Sequence, residues 1–343
     1  MNNHANPPVA QLARDVRRLS RLEIPGGGQV VVQGRHAFVG HMKPPHGTTI
    51  VDVGDPANPR VIATVALDDA RSHTHKVRVT GDVMITNVEL NNRHLLRRGA
   101  GRLADAEVRL AQSLGRTATD DELATELKVK PAEIALVRDF VRTGYRNRLH
   151  HALRVGDKLW ASCWHAGLRV IDVSDIRAPR TVGAYDYHPP FPEPTHTVLP
   201  VPFKVGGRDV AVVFDEEHDH VPGRLHAGMW LFDVTDVADI RPLSMFHVSE
   251  LDSPWARVGR FGAHQPAEHM SDTLVYATWF SGGLRVIDIA DPALPVEVGH
   301  FIPEPTGGHS SPQSNDVDVD DRGLIYLLDR NQGLDILEYA RRT

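Results

Sequence analysis

Cysteine is nearly missing from this chain of 343 residues: Cys163 is the only one, which excludes an intramolecular disulfide and any multi-cysteine metal cluster. No run of 18 apolar residues occurs, so no segment reads as a membrane-spanning helix. The N-terminal stretch MNNHANPPVAQLARDVRRL lacks the apolar core of a signal peptide, and a soluble cytoplasmic protein is the expectation. Basic excess is lacking too. The formal net charge of −6 argues against nucleic acid as the main partner, because phosphate binding needs a concentrated basic face. There is neither a glycine-rich phosphate loop nor a nucleophile elbow.

What is present is a repeat. A glycine, an apolar strand, Asp-x-x-Asp and a proline-containing turn recur as GTTIVDVGDPANPRVIATV from Gly47, GLRVIDVSDIRAPRTVGAY from Gly167, GMWLFDVTDVADIRPLSMF from Gly228 and GLRVIDIADPALPVEVGHF from Gly283, with a truncated GLDILEY from Gly333. The starts lie 120, 61, 55 and 50 residues apart, and periods of that size with several short strands per unit predict an all-β propeller. The units count six, or seven if the 120-residue gap hides one. The last unit has three clear strands, and the early segment RRLSRLEIP can supply the fourth, closing the ring between the termini and removing exposed edges. Residues 1–90 and 148–343 therefore read as the propeller. Asp52, Asp172, Asp233 and Asp288 repeat with the fold, which predicts that they bond backbone groups at strand ends.

Residues 91–147 break the period and read as an α-helical insertion, with Thr119 as N-cap and Glu122 completing a capping box. The stretch LGRTATDDELATELKVKPAEI resembles the helix-turn-helix module of bacterial sigma factors, which implies DNA binding. The flanking propeller and the lack of a basic recognition helix favour a compact insertion acting as a lid or subunit contact, with a homo-oligomer as one outcome.

Four histidines, His75, His151, His196 and His264, fall at equivalent places in the repeat, each opening a predicted innermost strand, with Asn315 in the corresponding place of the last unit. Strands at the propeller axis bring such positions together, so the pattern predicts a metal site. Neutral imidazole suits Fe and Cu first, with Zn, Mn or Ni as further choices, and an open coordination position would make the ion catalytic. His73 and His150 flank two of these residues, and a one-residue change of register exchanges them for His75 and His151, because neighbouring strand side chains point to opposite faces. Glu89, Glu193, Glu217 and Glu268 are candidates to orient the histidines. Glu217, Glu268, His218 and His165 are candidates for proton transfer. The run Asp215 to His220 could hold a second ion or supply an acid or base, and a solvated loop is the plainer expectation. Cys163 reads as packing.

The units LRVIDVSD, LRVIDIAD and WLFDVTD resemble the LVIVD-repeat proteins over nearly the whole chain outside 91–147. The organisation is more distantly similar to selenium-binding protein and methanethiol oxidase, and to the carotenoid cleavage oxygenases, in which histidines on inner propeller strands hold copper or iron. That resemblance implies a metal-dependent oxidoreductase of the oxygenase type acting on a small anionic or aromatic molecule. A lyase or hydrolase using the ion as a Lewis acid is the alternative, and a non-catalytic interaction scaffold is the third reading.

Overall fold

The computed structural model describes residues 12–90, 93–142, 148–218 and 220–340. They divide into two compact units, one formed by Met1–Glu89 with Leu149–Thr343 and the other by Leu90–Arg148. The first is built of antiparallel sheets in which each strand pairs with the next in sequence. Blade 1 comprises Gly27–Gln33, His36–His41, Thr48–Asp52 and Arg60–Val65; blade 3, His151–Val155, Lys158–Ser162, Leu168–Asp172 and Arg180–Tyr185; blade 4, Thr195–Pro200, Val210–Asp215, Met229–Asp233 and Arg241–Phe246; blade 5, Ala263–Pro266, Leu274–Trp279, Gly283–Asp288 and Val296–Phe301. Blade 6 takes three strands from the C-terminal segment, Ser314–Val319, Leu324–Asp329 and Gln332–Tyr339, and its outermost strand, Val16–Pro25, from the N-terminal one. This is the expected closure, and Asp335, buried in the third strand, ties it by forming ion pairs with Arg18 and Arg21 at 2.7 Å each.

Blade 2 is reduced. It consists of the hairpin Val77–Thr80 and Val83–Thr86 plus a short pairing of Ser72–His73 with Glu89–Leu90. The helical unit begins where its third strand would start. The described residues thus form six blade units, and the long gap in the repeat hides a shortened blade, not a seventh.

The repeat signature has a physical reading at each position. After the third strand enters, its register with the fourth slips between Ile50 and Val51, Val170 and Ile171, Leu231 and Phe232, and Val286 and Ile287. That is the same bulge in four blades, and it increases the local twist. The first Asp of Asp-x-x-Asp then accepts the backbone N–H two residues on, Gly54, Ser174, Thr235 and Ala290 at 2.9–3.0 Å. The second does the same for Ala57, Arg177, Ala238 and Ala293. Two successive Asx turns therefore reverse the chain into the fourth strand. Glycine leads the third strand because the fourth lies against it. At Gly167 and Gly283, with φ of +69° and +77°, a β-carbon would overlap the carbonyl oxygens of Tyr185 and Phe301.

Buried clusters fill the gaps between blades 3 and 4, 4 and 5, 5 and 6, and 6 and 1, holding residues such as Val213 and Phe232, Phe214 and Trp279, Leu284 and Leu327, and Val39 and Leu334. At the axis each innermost strand has an edge without a sheet partner, whose backbone groups need other bonds. Side chains from the neighbouring blade supply them. Asp316 and Asp318 accept the N–H groups of Val30 and Val32 at 2.8 and 2.7 Å, Gln29 accepts that of Val77 at 3.0 Å, and Asn315 donates to Gly28 O at 2.7 Å. The ring is stitched by polar residues, so its axis is polar.

The helical unit contains α1 (Arg93–Leu114), α2 (Asp120–Leu127) and α3 (Pro131–Arg142). Its own core gathers Leu103, Ala106, Ala118, Leu123, Ala124 and Ile134. The expected capping box is formed: Thr119 Oγ1 accepts the Glu122 N–H at 3.3 Å and Glu122 returns the bond to the Thr119 N–H at 2.8 Å. Among the described residues no helix is long and apolar enough to cross a membrane.

Candidate metal centre

Strand Val210–Asp215 is buried along its whole length, so the residues that follow it are delivered to the interior. Asp215, Glu216 and Glu217 are all buried, which corrects the expectation of a solvated loop; Asp219 lies outside the described residues. Each of the three carboxylates has a different environment. Asp215 accepts Tyr187 Oη at 2.6 Å and Trp230 Nε1 at 2.9 Å. Glu217 accepts the N–H groups of Phe261 and Gly262 at 3.2 and 2.9 Å and His226 Nδ1 at 2.7 Å. Glu216, between them, faces histidines.

His150 Nε2 and His196 Nε2 lie 3.8 and 3.9 Å from Glu216 Oε2, His218 Nε2 lies 3.1 Å from the same oxygen, and His264 Nε2 lies 3.8 Å from Oε1. The ring of His196 is 4.3 Å from those of both His150 and His264, centre to centre. The set comes from the start of the inner strands of blades 3, 4 and 5 and from the end of the second strand of blade 4. His150, His196 and Glu216 have their ligand atoms close enough to hold one ion, and His264 reaches the other carboxylate oxygen.

Hydrogen bonds on the far side of two rings assign their protons. Thr197 Oγ1 donates to Gln265 Oε1 at 2.7 Å, so it must accept from His196 Nδ1 at 2.8 Å. His264 Nδ1 meets the Asn315 carbonyl oxygen, which can only accept. Both imidazoles therefore carry hydrogen on Nδ1 and turn the Nε2 lone pair toward Glu216. Burial holds His196 well below the ordinary histidine range, with the like charges of His150 and His264 adding to it, and burial takes His150 and His264 down to about 3. Burial opposes ionisation of Glu216, yet the surrounding histidines keep its carboxyl well below the usual range. A divalent ion would require these imidazoles neutral and the carboxylate ionised.

The structure does not bring His75 and His151 to this point. His151, one residue from His150 and on the opposite side of the strand, places Nε2 3.0 Å from Glu268 Oε1, and Glu268 is also bound by Arg78 at 2.8 Å and Gln265 at 3.2 Å. His75 precedes the inner strand of blade 2 and lies 3.3 Å from Glu89, with His73 at 4.0 Å, forming a separate group able to hold an ion. Of the proposed proton-transfer residues, His218 is in the cluster. Glu217 turns away to His226, Glu268 pairs with His151, and His165 bonds Pro192 O at 3.1 Å. Trp164, between His150 and His218 at 5.7 and 4.8 Å, separates His165 from the centre. Glu193, another orienting candidate, accepts the His218 N–H at 2.8 Å. Glu216 as a member of the histidine cluster is what periodicity missed; the signal was the acidic run directly after the wholly apolar strand VAVVF.

Four-stranded blades stitched around a polar axis define a β-propeller. The LVIVD repeat model matches residues 27–66 and 271–302, so blades 1 and 5 of this propeller carry segments similar to the LVIVD repeat. No curated protein sequence matches it. Among solved structures it is similar to the WD40 repeats of RRP9, with 13% identity, a TM-score of 0.44 and 95% of this chain and 99% of that one covered. It is also similar to the WD40 propeller domain of Doa1, with 8% identity, a TM-score of 0.48 and coverage of 94% and 96%.

Proposed function

We propose that this propeller is a metal-dependent enzyme of small-molecule metabolism, working at a divalent transition ion held by His150, His196, His264 and Glu216. One observation carries the reading. Imidazoles from three blades converge on the buried Glu216 carboxylate, and the far-side hydrogen bonds of His196 and His264 turn their Nε2 lone pairs toward it, a donor set that a cation lying among them would satisfy, with Arg260 at its edge 3.4 Å from Oε1. Nitrogen and carboxylate donors without sulfur suit Fe(II), Mn(II), Cu(II) or Zn(II).

Histidine nitrogens with one carboxylate oxygen favour oxidoreductase chemistry with dioxygen where a coordination position of the ion stays open. The ion, when bound, would supply redox chemistry or Lewis acidity. His218, with Nε2 beside Glu216 and its ring edge-on to Trp164, is the group placed to hold or move a proton at the centre. A lyase or hydrolase remains the second reading, favoured by the buried carboxylate ligand, which suits Zn or Mn as well as Fe.

Elemental analysis of protein purified without an affinity tag tests the centre. About one ion per chain is expected, falling at least tenfold in affinity in Glu216→Gln, while His151→Ala, outside the cluster, keeps its metal. Iron or copper whose spectrum azide perturbs supports the oxidoreductase; zinc supports the Lewis-acid reading. Full metal content in both Glu216→Gln and His196→Ala refutes the centre.

A further inference from the structure

Two guanidinium groups lie beside the candidate centre with a single carboxylate to serve them. Arg260 places Nη1 3.4 Å from Glu216 Oε1 and 3.1 Å from Glu217 O, and its guanidinium stacks 3.9 Å above the Phe280 ring, itself 4.7 Å from the ring of His264. Arg330, in the loop between the second and third strands of blade 6, has one side-chain hydrogen bond among the described residues, from Nη1 to Asn315 Oδ1 at 3.3 Å, and no ion pair. Asn315 is the residue whose carbonyl orients His264.

The pair is held together by Gln313. Its carbonyl accepts the Arg330 N–H at 2.8 Å, and its Nε2 donates to Arg260 O at 3.1 Å. The Gln313 backbone N–H is fixed in turn on Asp329 at 2.7 Å. The arginines are therefore presented by a braced loop pair, near enough that Arg260 disfavours the charge on Arg330: burial first, then Arg260, pulls Arg330 down to about 10.

Two arginines elsewhere in the propeller show what full matching looks like. Arg285 pairs with Glu297 and donates to Gly282 O and Asp252 O; Arg21 binds Asp335, Glu23, Thr306 and Gln332 O. Arg330 is not matched in this way, and the one carboxylate near Arg260 is the proposed metal ligand. With a divalent ion bound, the ion and two guanidiniums together outweigh the single negative charge of Glu216, and Lys76 adds its field at His150 and His196. A planar, five-donor fork left with a single weak acceptor is suited to an oxyanion.

We propose that Arg330 and Arg260 form the oxyanion-binding arm of the centre and select a small-molecule substrate bearing a carboxylate or phosphate group. This rests on the metal-centre reading above and names the substrate class for it. The arm anchors the anionic group beside the centre, and the anion supplies the charge that the protein itself lacks there.

Oxalate and inorganic phosphate are the probes, titrated by calorimetry into the metal-loaded, tag-free protein and into Arg330→Gln and Arg330→Lys, with metal content measured on each sample. Wild-type protein should bind at least one probe, more weakly as salt rises, and the tighter of the two identifies carboxylate or phosphate as the group selected. Arg330→Gln should weaken binding by about 10- to 100-fold with metal content unchanged, and Arg330→Lys, which keeps the charge but loses the fork, should fall between. Binding equal to wild type in Arg330→Gln, or no binding of either probe to the metal-loaded wild type, overturns the oxyanion arm and leaves the metal centre standing. Should Arg330→Gln not fold, Arg330→Lys carries the test, and unchanged affinity there overturns it. A wild-type protein that takes up no metal overturns the metal reading instead; Arg330-dependent binding to that metal-free protein would still support the anion site, and its absence would overturn it.

Discussion

Asp316 offers the sharpest test of how the ring is held together. Its side chain is buried on the inner strand of blade 6, where Oδ2 accepts the Val30 N–H and so joins blade 6 to blade 1. Burial pushes its carboxyl from 3.8 up to about 8; Lys76 and the Val30 N–H oppose the rise, while Glu268 and Asp318 add to it. In the unfolded chain the group ionises near its ordinary value, so the native state binds the extra proton between about pH 4 and pH 8. Stability from this group is complete below pH 4 and is lost as pH rises through that window. The displacement corresponds to about 6 kcal/mol if nothing relaxes, and to roughly 2–3 kcal/mol at the effective dielectric that buried groups follow in practice. Asp316→Asn keeps the shape and an oxygen for Val30 but cannot ionise. Its stability relative to wild type should therefore rise by roughly 2–3 kcal/mol between pH 4.5 and pH 8.5. Urea denaturation with a chelator present, followed by tryptophan fluorescence, measures this, since all five tryptophans lie outside residues 91–147 and report on the propeller alone. A difference between the two proteins that stays constant across that range would refute the argument.

Two further outcomes are expected. Asp335→Ala leaves Arg18 and Arg21 without their shared carboxylate at the blade 6 closure, and should lower propeller stability by roughly 3 kcal/mol in the same fluorescence assay; a change under ~0.5 kcal/mol would mean the closure rests on its backbone ladder alone. Replacing residues 91–147 by a short linker should leave the tryptophan-monitored midpoint within about 1 kcal/mol of wild type, because the helical unit has its own core, and loss of the folded propeller would show the two units to be interdependent.

Much of the architecture is written locally. The spacing of the Gly-led strands, the two Asx turns of Asp-x-x-Asp and the capping box at Thr119 each involve residues a few positions apart, so the sequence alone announces a propeller, its N-terminal closing strand and a helical insertion. It also places His196 and His264 at the axis, because equivalent positions in a closed repeat must converge. Which neighbours they meet is a tertiary matter. His150 and His151 differ by one residue on a strand, and only the register of the blade 3 inner strand with its partner, His151 opposite Ser162, turns the first toward Glu216 and the second toward Glu268. Glu216 belongs to no repeat position; it becomes part of the centre because a strand buried on both faces delivers its end to the axis. His75 falls out of the set because blade 2 is shortened and the residue lies ahead of its inner strand. The pairing of Arg260 with Arg330, 70 positions apart, depends on two loops braced by Gln313, and local sequence carries no trace of such a contact. Periodicity determines which residues face the axis, whereas the few degrees of strand register and the loop packing that assemble a site are settled only when the ring closes and every unpaired inner edge finds its partner.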